Sequence, residues 1–405
     1  MDYIFQDIIA IVIGAAIVYL TIPVIVRVSE AKNLYDVPND RKLNQNVVPN
    51  LGGIALFAGI SISTIISLRN LPYPDFRYIL AGMILLFFIG IKDDILTISP
   101  RKKFIIQFIS ALILILAGNI RFTNLHGVFG IYEINKIFSF IFSALAIVAV
   151  INAFNLIDGI DGLASSIGIL VCLFFGVNFL LMHHFAYAIL CFSIVGSLGS
   201  FFIFNVFGKK NKIYMGDTGS LILGLLVAVF VIKFNEFNLS EDVNSFHFSP
   251  AYSMAIISIP LLDMFRVFII RIFNKLSPFS PDMRHIHHKL IRLGFSHINA
   301  TLILITVNLF LMCAVWLSQK LNPHIQLAII ILAFATFAYL PDLLYKMREQ
   351  KKLKTLETYT ENELATFKTA SKLNVWNLSI KSDGYKRKKE LHLTSNDKKP
   401  VESVF

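Results

Sequence analysis

Charge is scarce in this chain. Asp, Glu, Lys and Arg together make up 16% of its 405 residues, whereas 56% are hydrophobic. With a mean hydropathy of +0.67, too few polar side chains remain to clothe a soluble domain, and that class is excluded. Cysteine is nearly missing. Cys172, Cys191 and Cys313 are the three present, each inside an apolar run, which excludes a disulfide framework and a zinc–thiolate cluster. The first apolar run has neither a basic segment before it nor a small-residue cleavage site after it, so a retained helix is expected rather than a signal peptide. No internal repeat of the kind that builds secondary transporters is evident. Acidic residues are outnumbered 26 to 37, for a formal net charge of +11. The basic residues lie between apolar runs, as the positive-inside rule requires, so no nucleic-acid partner is expected.

What the chain has is apolar length. Spans of roughly 20 residues fall near 4–26, 48–68, 78–91, 104–120, 134–152, 163–182, 185–206, 218–234, 250–272, 300–318 and 325–344. The predicted fold is an all-α polytopic integral membrane protein of about eleven transmembrane helices. The third run is short and ends at Lys92-Asp93-Asp94. The ninth contains Pro260, which predicts a kink or break, and Asp263 and Arg266, which are spaced to pair with each other. With the N-terminus outside, the inner loops before residue 345 hold 17 Lys and Arg and the outer segments 6. That ratio puts the basic side and the C-terminus in the cytoplasm and the loop bearing Glu236, Glu241 and Asp242 outside. Residues 1–345 form the predicted transmembrane domain. Residues 346–405 form a basic polar cytoplasmic tail, partly helical and partly disordered, whose runs at Lys351, Lys352, Lys354 and Lys386 to Lys389 suit an anionic lipid surface.

With this topology the conspicuous polar clusters all reach one membrane face. Asn152, Asn155, Asp158 and Asp161 recur every third residue, a spacing that would line one face of a helix. Gly159 and Gly162 allow the backbone to bend and a ligand to approach it. Arg41-Lys42 and Pro49-x-x-Gly52-Gly53 precede the second span, and Asp93-Asp94 ends the third. Tyr214-Met215-Gly216-Asp217-Thr218-Gly219-Ser220 opens the eighth, and His285-Ile286-His287-His288-Lys289 follows the ninth. Acids and amides at membrane helix ends are costly unless they bind something. Paired carboxylates with amide oxygens suit Mg²⁺, which shares its ligands with substrate phosphates. Histidines and basic side chains suit phosphate itself, and a glycine-flanked helix start is an anion site. Together they point to metal-assisted phosphoryl chemistry at the inner membrane surface. Asp217-Thr218-Gly219 also matches an aspartic-protease signature, but a second copy and a β-rich context are missing. A zinc site at the histidines is disfavoured by their spacing and by the lack of a nearby cysteine.

These motifs, in this order, resemble those of the polyprenyl-phosphate N-acetylhexosamine-1-phosphate transferases of glycosyltransferase family 4, most closely the bacterial undecaprenyl-phosphate GlcNAc-1-phosphate branch. The matching pieces are Pro49-x-x-Gly52-Gly53, Asp93-Asp94, the stretch from Asn152 to Ala164, Gly216-Asp217-x-Gly219-Ser220 and Pro281-Asp282-x-x-His285-Ile286-His287-His288. The resemblance implies ten or eleven helices with a cytoplasmic-face active site. It implies that Asp93 and Asp94 bind or deprotonate the lipid phosphate and that Lys103 contacts the diphosphate. Asn155 and Asp217 would hold Mg²⁺, with Mn²⁺ able to replace it. Asp161 and Tyr214 would grip the nucleotide base, Tyr214 as a stacking ring. Asn152, Asp158, Arg284, His285, His287 and His288 would complete the substrate site. Relatives often carry histidine in the first inner loop where this chain has Asn44.

The implied reaction converts a UDP-N-acetylhexosamine (GlcNAc expected) and polyprenyl phosphate into polyprenyl-diphospho-sugar and UMP, initiating a cell-surface polysaccharide such as O-antigen. The expected setting is the bacterial inner membrane and the expected partners are the two substrates, the bilayer and a second copy of the chain as a homodimer. The phospho-N-acetylmuramoyl-pentapeptide transferases of peptidoglycan synthesis are the nearest alternative. Their loop carries three consecutive histidines followed by Phe-Glu, whereas here Ile286 interrupts the histidines and Lys289 follows them. A transporter, the alternative from another class, would place its acids near the bilayer midplane rather than at helix ends.

Overall fold

A computed structural model describes residues 2–34, 48–68, 73–239, 249–276 and 284–354. Arg41, Lys42, Asn44, Glu241, Asp242, Pro281, Asp282 and the tail beyond Lys354, including Lys386 to Lys389, lie outside the described residues. Among the described residues the regular structure is helical, with no strand and only an isolated bridge between Asn124 and Glu133. The helices are α1 (Asp2–Ala31), α2 (Gly52–Leu68), α3 (Phe76–Leu96), α4 (Pro100–Leu112), α5 (Lys136–Ile157), α6 (Leu163–Leu181), α7 (Phe185–Phe202), α8 (Gly216–Phe237), α9 (Ser249–Ile256), α10 (Ser258–Phe273), α11 (Ile286–Arg292) and α12 (His297–Leu317). A last helix, α13, runs Pro323–Lys354. The chain divides within it into two units, Met1–Pro341 and Asp342–Phe405. The described part of the second unit is an almost wholly exposed stretch of helix over 342–354.

Each expected apolar run is a helix or a pair of helices. Among the described residues seven helices are long and apolar enough to cross a membrane, or eight if the bent pair α9–α10 is one span. The chain is a multi-pass membrane protein. The rest fall short by length or charge: α2 has 17 residues, and α3 carries Arg77, Lys92, Asp93 and Asp94. The first unit is organised around α8, 83% of whose apolar window is buried, against 22% for α1. A helix apolar on every side belongs inside a bundle, and α2, α3, α5, α6 and α9 pack around it. Its interior position fixes where its two polar ends lie relative to the helices around it.

The break expected in the ninth run is present. α9 and α10 meet at Ile257 with a 78° bend. Pro260 is the third residue of α10 and has no N–H to return to the Ile256 carbonyl. That carbonyl instead accepts from Asn308 Nδ2 at 2.9 Å, and Asn308 Oδ1 accepts from the Ser258 hydroxyl at 3.1 Å. One buried amide of α12 thus satisfies groups on both sides of the break.

The polar stripe from Asn152 to Asp161 departs from a single helix face. α5 ends at Ile157, and Asp158 has left helical geometry at φ −75°, ψ 46°. Asn152 and Asn155 stay on α5, whereas Asp161 stands in the turn before Gly162, whose φ of 81° starts α6. Two glycines in four residues end the helix where its spacing alone would have continued it.

Candidate active site at the start of α8

The site is built where four chain segments meet. Gly52 N–H donates to the Tyr214 carbonyl at 3.0 Å, Gly53 N–H to the Met215 carbonyl at 2.9 Å, and Tyr214 N–H to the Pro49 carbonyl at 2.8 Å. The Pro49-to-Gly53 motif is therefore the backbone partner of the segment that opens α8. Gly216 adopts φ +70°, and a Cβ there would lie 2.7 and 2.8 Å from the Asp94 carboxylate oxygens. Asp94 uses the space. Its oxygens accept from Asp217 N–H at 2.7 Å, Thr218 N–H at 3.1 Å and the Thr218 hydroxyl at 2.6 Å. A carboxylate on the unpaired N–H groups of a helix start is favourable in hydrogen bonding and in dipole. Asp94, from the end of α3, thereby sets the position of Asp217.

Asp93 and Asp217 share one cation. Lys103 Nζ lies 2.5 Å from Asp93 Oδ2 and also pairs with Asp217 Oδ2. Asp93 Oδ1 accepts from Ile98 N–H, which ties the short turn between α3 and α4 to the same acid. Asn155 Nδ2 donates to Asp217 Oδ1 at 3.0 Å and to the Ser220 hydroxyl at 2.9 Å. Asp93, Lys103, Asn155 and Asp217 thus form one connected group, with Asp94 behind it. Asn152, a turn deeper in α5, bonds instead to Gln107 Oε1 of α4 and the Val148 carbonyl, both at 2.7 Å.

The 158–162 turn links this group to two others. Burial first, then the charges of Asp217, Asp94 and Asp161, pushes the Asp158 carboxyl well above the usual carboxylate range. Asp161 goes the other way. Burial raises it, but hydrogen bonds from His297 and Lys212, with their charges, hold it below that range. Lys212 Nζ and His297 Nδ1 lie 2.6 and 3.2 Å from Asp161 Oδ2. The Lys212 ammonium also stands 5.9 Å from the centre of the Tyr214 ring. Gly162 N–H donates to Asn205 Oδ1 at 2.6 Å, and Asn205 Nδ2 donates to the Ile213 carbonyl at 2.9 Å. Asn205 thereby joins the turn to the segment carrying Tyr214.

The histidines form the third group. His285 and His287 are buried and His288 partly so. His287 packs so closely on Gly159 that a Cβ there would collide with its ring. Burial, then the neighbouring His288, presses the His287 imidazole well below its usual range. Asp263 and Arg266 pair, as their spacing predicts, at 2.8 Å. Asp263 also meets His285 Nδ1 at 3.0 Å. Arg284, partly exposed, contributes its carbonyl to Arg266 at 2.6 Å. Sequence reasoning did not find Lys212, His297, Asn205 or Gln107. Each is distant in sequence from its partner, so nothing local announces the pairing.

The donor set fits a hard divalent cation. Two carboxylates from different helices already converge on a cation, the Lys103 ammonium, and an amide adjoins them. Among the described residues no group of three His, Cys, Asp or Glu forms a ready metal cage. Mg²⁺ needs none, because it takes one or two carboxylates and completes its shell with phosphate and water.

Known proteins are similar to this chain in sequence. Residues 76–235, from α3 to nearly the end of α8, match the family model of glycosyl transferase family 4. A Yersinia pestis protein named undecaprenyl-phosphate alpha-N-acetylglucosaminyl 1-phosphate transferase is 30% identical over 316 residues, covering 76% of this chain and 83% of its own. Proteins of the same name from Escherichia coli K12 and Haemophilus influenzae are 30% identical over 320 residues and 32% over 296. They cover 77% and 72% of this chain and 85% and 81% of their own. The chain belongs to glycosyl transferase family 4.

Proposed function

We propose that this protein transfers N-acetylglucosamine 1-phosphate from UDP-N-acetylglucosamine to undecaprenyl phosphate, giving undecaprenyl-diphospho-N-acetylglucosamine and UMP. The observation that carries the proposal is the shared Lys103 between Asp93 and Asp217 at the start of a buried membrane helix. Carboxylates gathered about one cation at a membrane helix end are arranged for phosphate chemistry, and relatives covering most of the chain bear the name of this reaction.

In this reading an oxygen of the lipid phosphate attacks the β-phosphorus of the nucleotide sugar. The bond from that phosphorus to the bridging oxygen breaks, and UMP leaves with that oxygen and the electron pair. Little covalent work is asked of the protein, so positioning and charge dominate. Lys103 lies against the diphosphate and offsets the charge that develops there. Asp93 holds Lys103 and faces the lipid phosphate; Asp94 fixes the start of α8. Tyr214 supplies a face for uracil, and Asp161, oriented by Lys212 and His297, accepts from its N–H. The histidines line the sugar side. Mg²⁺ held by Asp217 and Asn155 would neutralise diphosphate charge.

The membrane reading follows from the loop charges. The chain would cross the bacterial inner membrane about eleven times, N-terminus outside, C-terminus and site in the cytoplasm. The test is incubation of purified protein with radiolabelled UDP-sugars and undecaprenyl phosphate. Label should move from UDP-N-acetylglucosamine into lipid with release of UMP. Active-site-dependent label in lipid from a different UDP-sugar alone would change the sugar; no lipid-linked label from any would remove the reaction.

A further inference from the structure

Asp263 lies in α10 and is only 6% exposed, a costly place for a carboxylate unless it is fully engaged. Arg266 donates to its Oδ1 through Nη2 at 2.8 Å and Nε at 3.2 Å. Ile286 N–H lies 3.3 and 3.2 Å from its two oxygens. His285 Nδ1 lies 3.0 Å from Oδ2. Arg266 reaches on to the Arg284 carbonyl. One acid and one arginine of α10 therefore pin three consecutive residues, 284 to 286, beside the site.

The chemistry of this contact fixes a proton. An ionised carboxylate can only accept, so the shared hydrogen belongs to Nδ1 of His285. In the neutral ring Nε2 is then an acceptor. That nitrogen is buried and has no hydrogen-bond partner among the described residues, and the same holds for Nε2 of His287. The two rings lie nearly parallel, centroids 5.7 Å apart and 11° between planes, and His287 rests on Gly159 in the turn that joins the three groups of the site. Buried nitrogens are rarely left unpaired unless a ligand or water completes them.

We propose that Asp263 is a positioning residue for the transfer. It holds His285 as the Nδ1–H tautomer and presents Nε2 as a proton acceptor to a hydroxyl or amide N–H of the donor sugar, while Arg266 keeps the carboxylate aimed. This rests on the transferase reading for the identity of the ligand, but the tautomer does not. A carboxylate that merely stitched the loop to α10 would affect folding and leave the turnover of folded protein alone.

The experiment uses full-length protein with ¹⁵N-labelled histidine in lipid nanodiscs, with His285 identified by the signal lost in His285→Gln. Wild type should show a protonated Nδ1 and a bare Nε2. Asp263→Asn offers the ring an N–H donor, so it should move the proton to Nε2. It should also lower kcat on the order of 10²-fold, a moderate version of the loss seen when such an orienting acid is amidated, with a much smaller change in KM. Added to His285→Gln, it should cost nothing further, since both act through one ring. A proton on Nε2 in wild type overturns the proposal, even if Asp263→Asn does not accumulate. Wild-type kcat in folded Asp263→Asn, or full additivity with His285→Gln, does the same. If wild type makes no lipid-linked sugar, the transferase reading fails and the tautomer result still stands.

Discussion

The two ends of α8 are both polar and both buried among other helices, yet they differ in how their charges are matched. At the C-terminal end Lys233 pairs with Asp75 at 2.6 Å, and Tyr187 donates to the same oxygen at 2.5 Å. Glu236 is held through both oxygens by Thr123, with Arg121 and Lys233 nearby. Aromatic rings of Tyr187 and Phe237 lie over the lysine. Two acids there face two cations. At the N-terminal end Asp93 and Asp217 share Lys103 alone among the described cations in contact, while Asp94 caps the helix start and Asp158 lies within reach of the charges of Asp94 and Asp217. A buried polar cluster that is complete makes a joint between helices; one left short of positive charge is arranged to take a cation or the groups that come with it.

Breaking the scarce cation should have the largest effect. Lys103→Met leaves Asp93 and Asp217 facing each other and removes a positive group from the diphosphate. The loss in kcat should be about two to three orders of magnitude, the scale of one preorganised electrostatic group, measured as lipid-linked label at saturating substrates. Replacing the Tyr214 ring should act on binding instead. Tyr214→Ala should raise KM for the UDP-sugar on the order of tenfold, since base stacking is worth roughly 1–3 kcal/mol, and Tyr214→Phe should be mild. An unchanged KM in the alanine variant would remove Tyr214 from the site.

The other end of α8 should respond in stability only. Lys233→Met strands Asp75, whose side chain is 24% exposed, so the cost should be modest, about 1–2 kcal/mol after allowing for solvent screening. A thermal melt should show a Tm a few degrees lower, with kcat of the folded enzyme kept. Loss of turnover in folded Lys233→Met would erase the distinction between the two ends.

The smallest effect is a pH slope. Burial holds the His287 imidazole well below its usual range, so the unfolded chain takes up a proton that the folded one refuses. Stability from this group is present above about pH 6.5, the unfolded value, and falls as pH drops below it, by at most about 1.4 kcal/mol per unit. Melts of wild type and His287→Gln between pH 7.5 and 5.5, on the order of one unit either side of that value, should show the steeper decline in wild type. Equal slopes would mean that His287 is protonated in the folded protein.

Much of this was legible in the sequence because apolar length and local spacing are local properties. The expected runs became helices, and the break near Pro260 followed from a missing N–H. The i,i+3 pair Asp263–Arg266 needed only a helix. Other features needed the tertiary fold. Asp94 reads as one of two adjacent acids; that it caps a helix more than a hundred residues later depends on how α3 packs on α8. Asp161 reads as one more step of a polar stripe, and its binding to Lys212 and His297 joins three distant segments. Asn308 reads as a lone amide in an apolar run, which says only that it needs a partner, not that the partner is the carbonyl freed by Pro260. Polar groups in an apolar helix announce a requirement, and packing decides what meets it.

We propose that the carboxylates gathered at the start of α8 take a divalent cation for phosphoryl transfer. A Mg²⁺ titration of transferase activity for wild type, Asp217→Asn, Asn155→Ala and Asp158→Asn tests it most directly. Asp217→Asn keeps the shape and removes a charge, so kcat should fall by about two to three orders of magnitude and the Mg²⁺ midpoint should move upward. Asn155→Ala should shift the midpoint in the same direction, and Asp158→Asn should leave it nearly unmoved. Wild-type kcat and an unmoved Mg²⁺ midpoint in Asp217→Asn would contradict the claim.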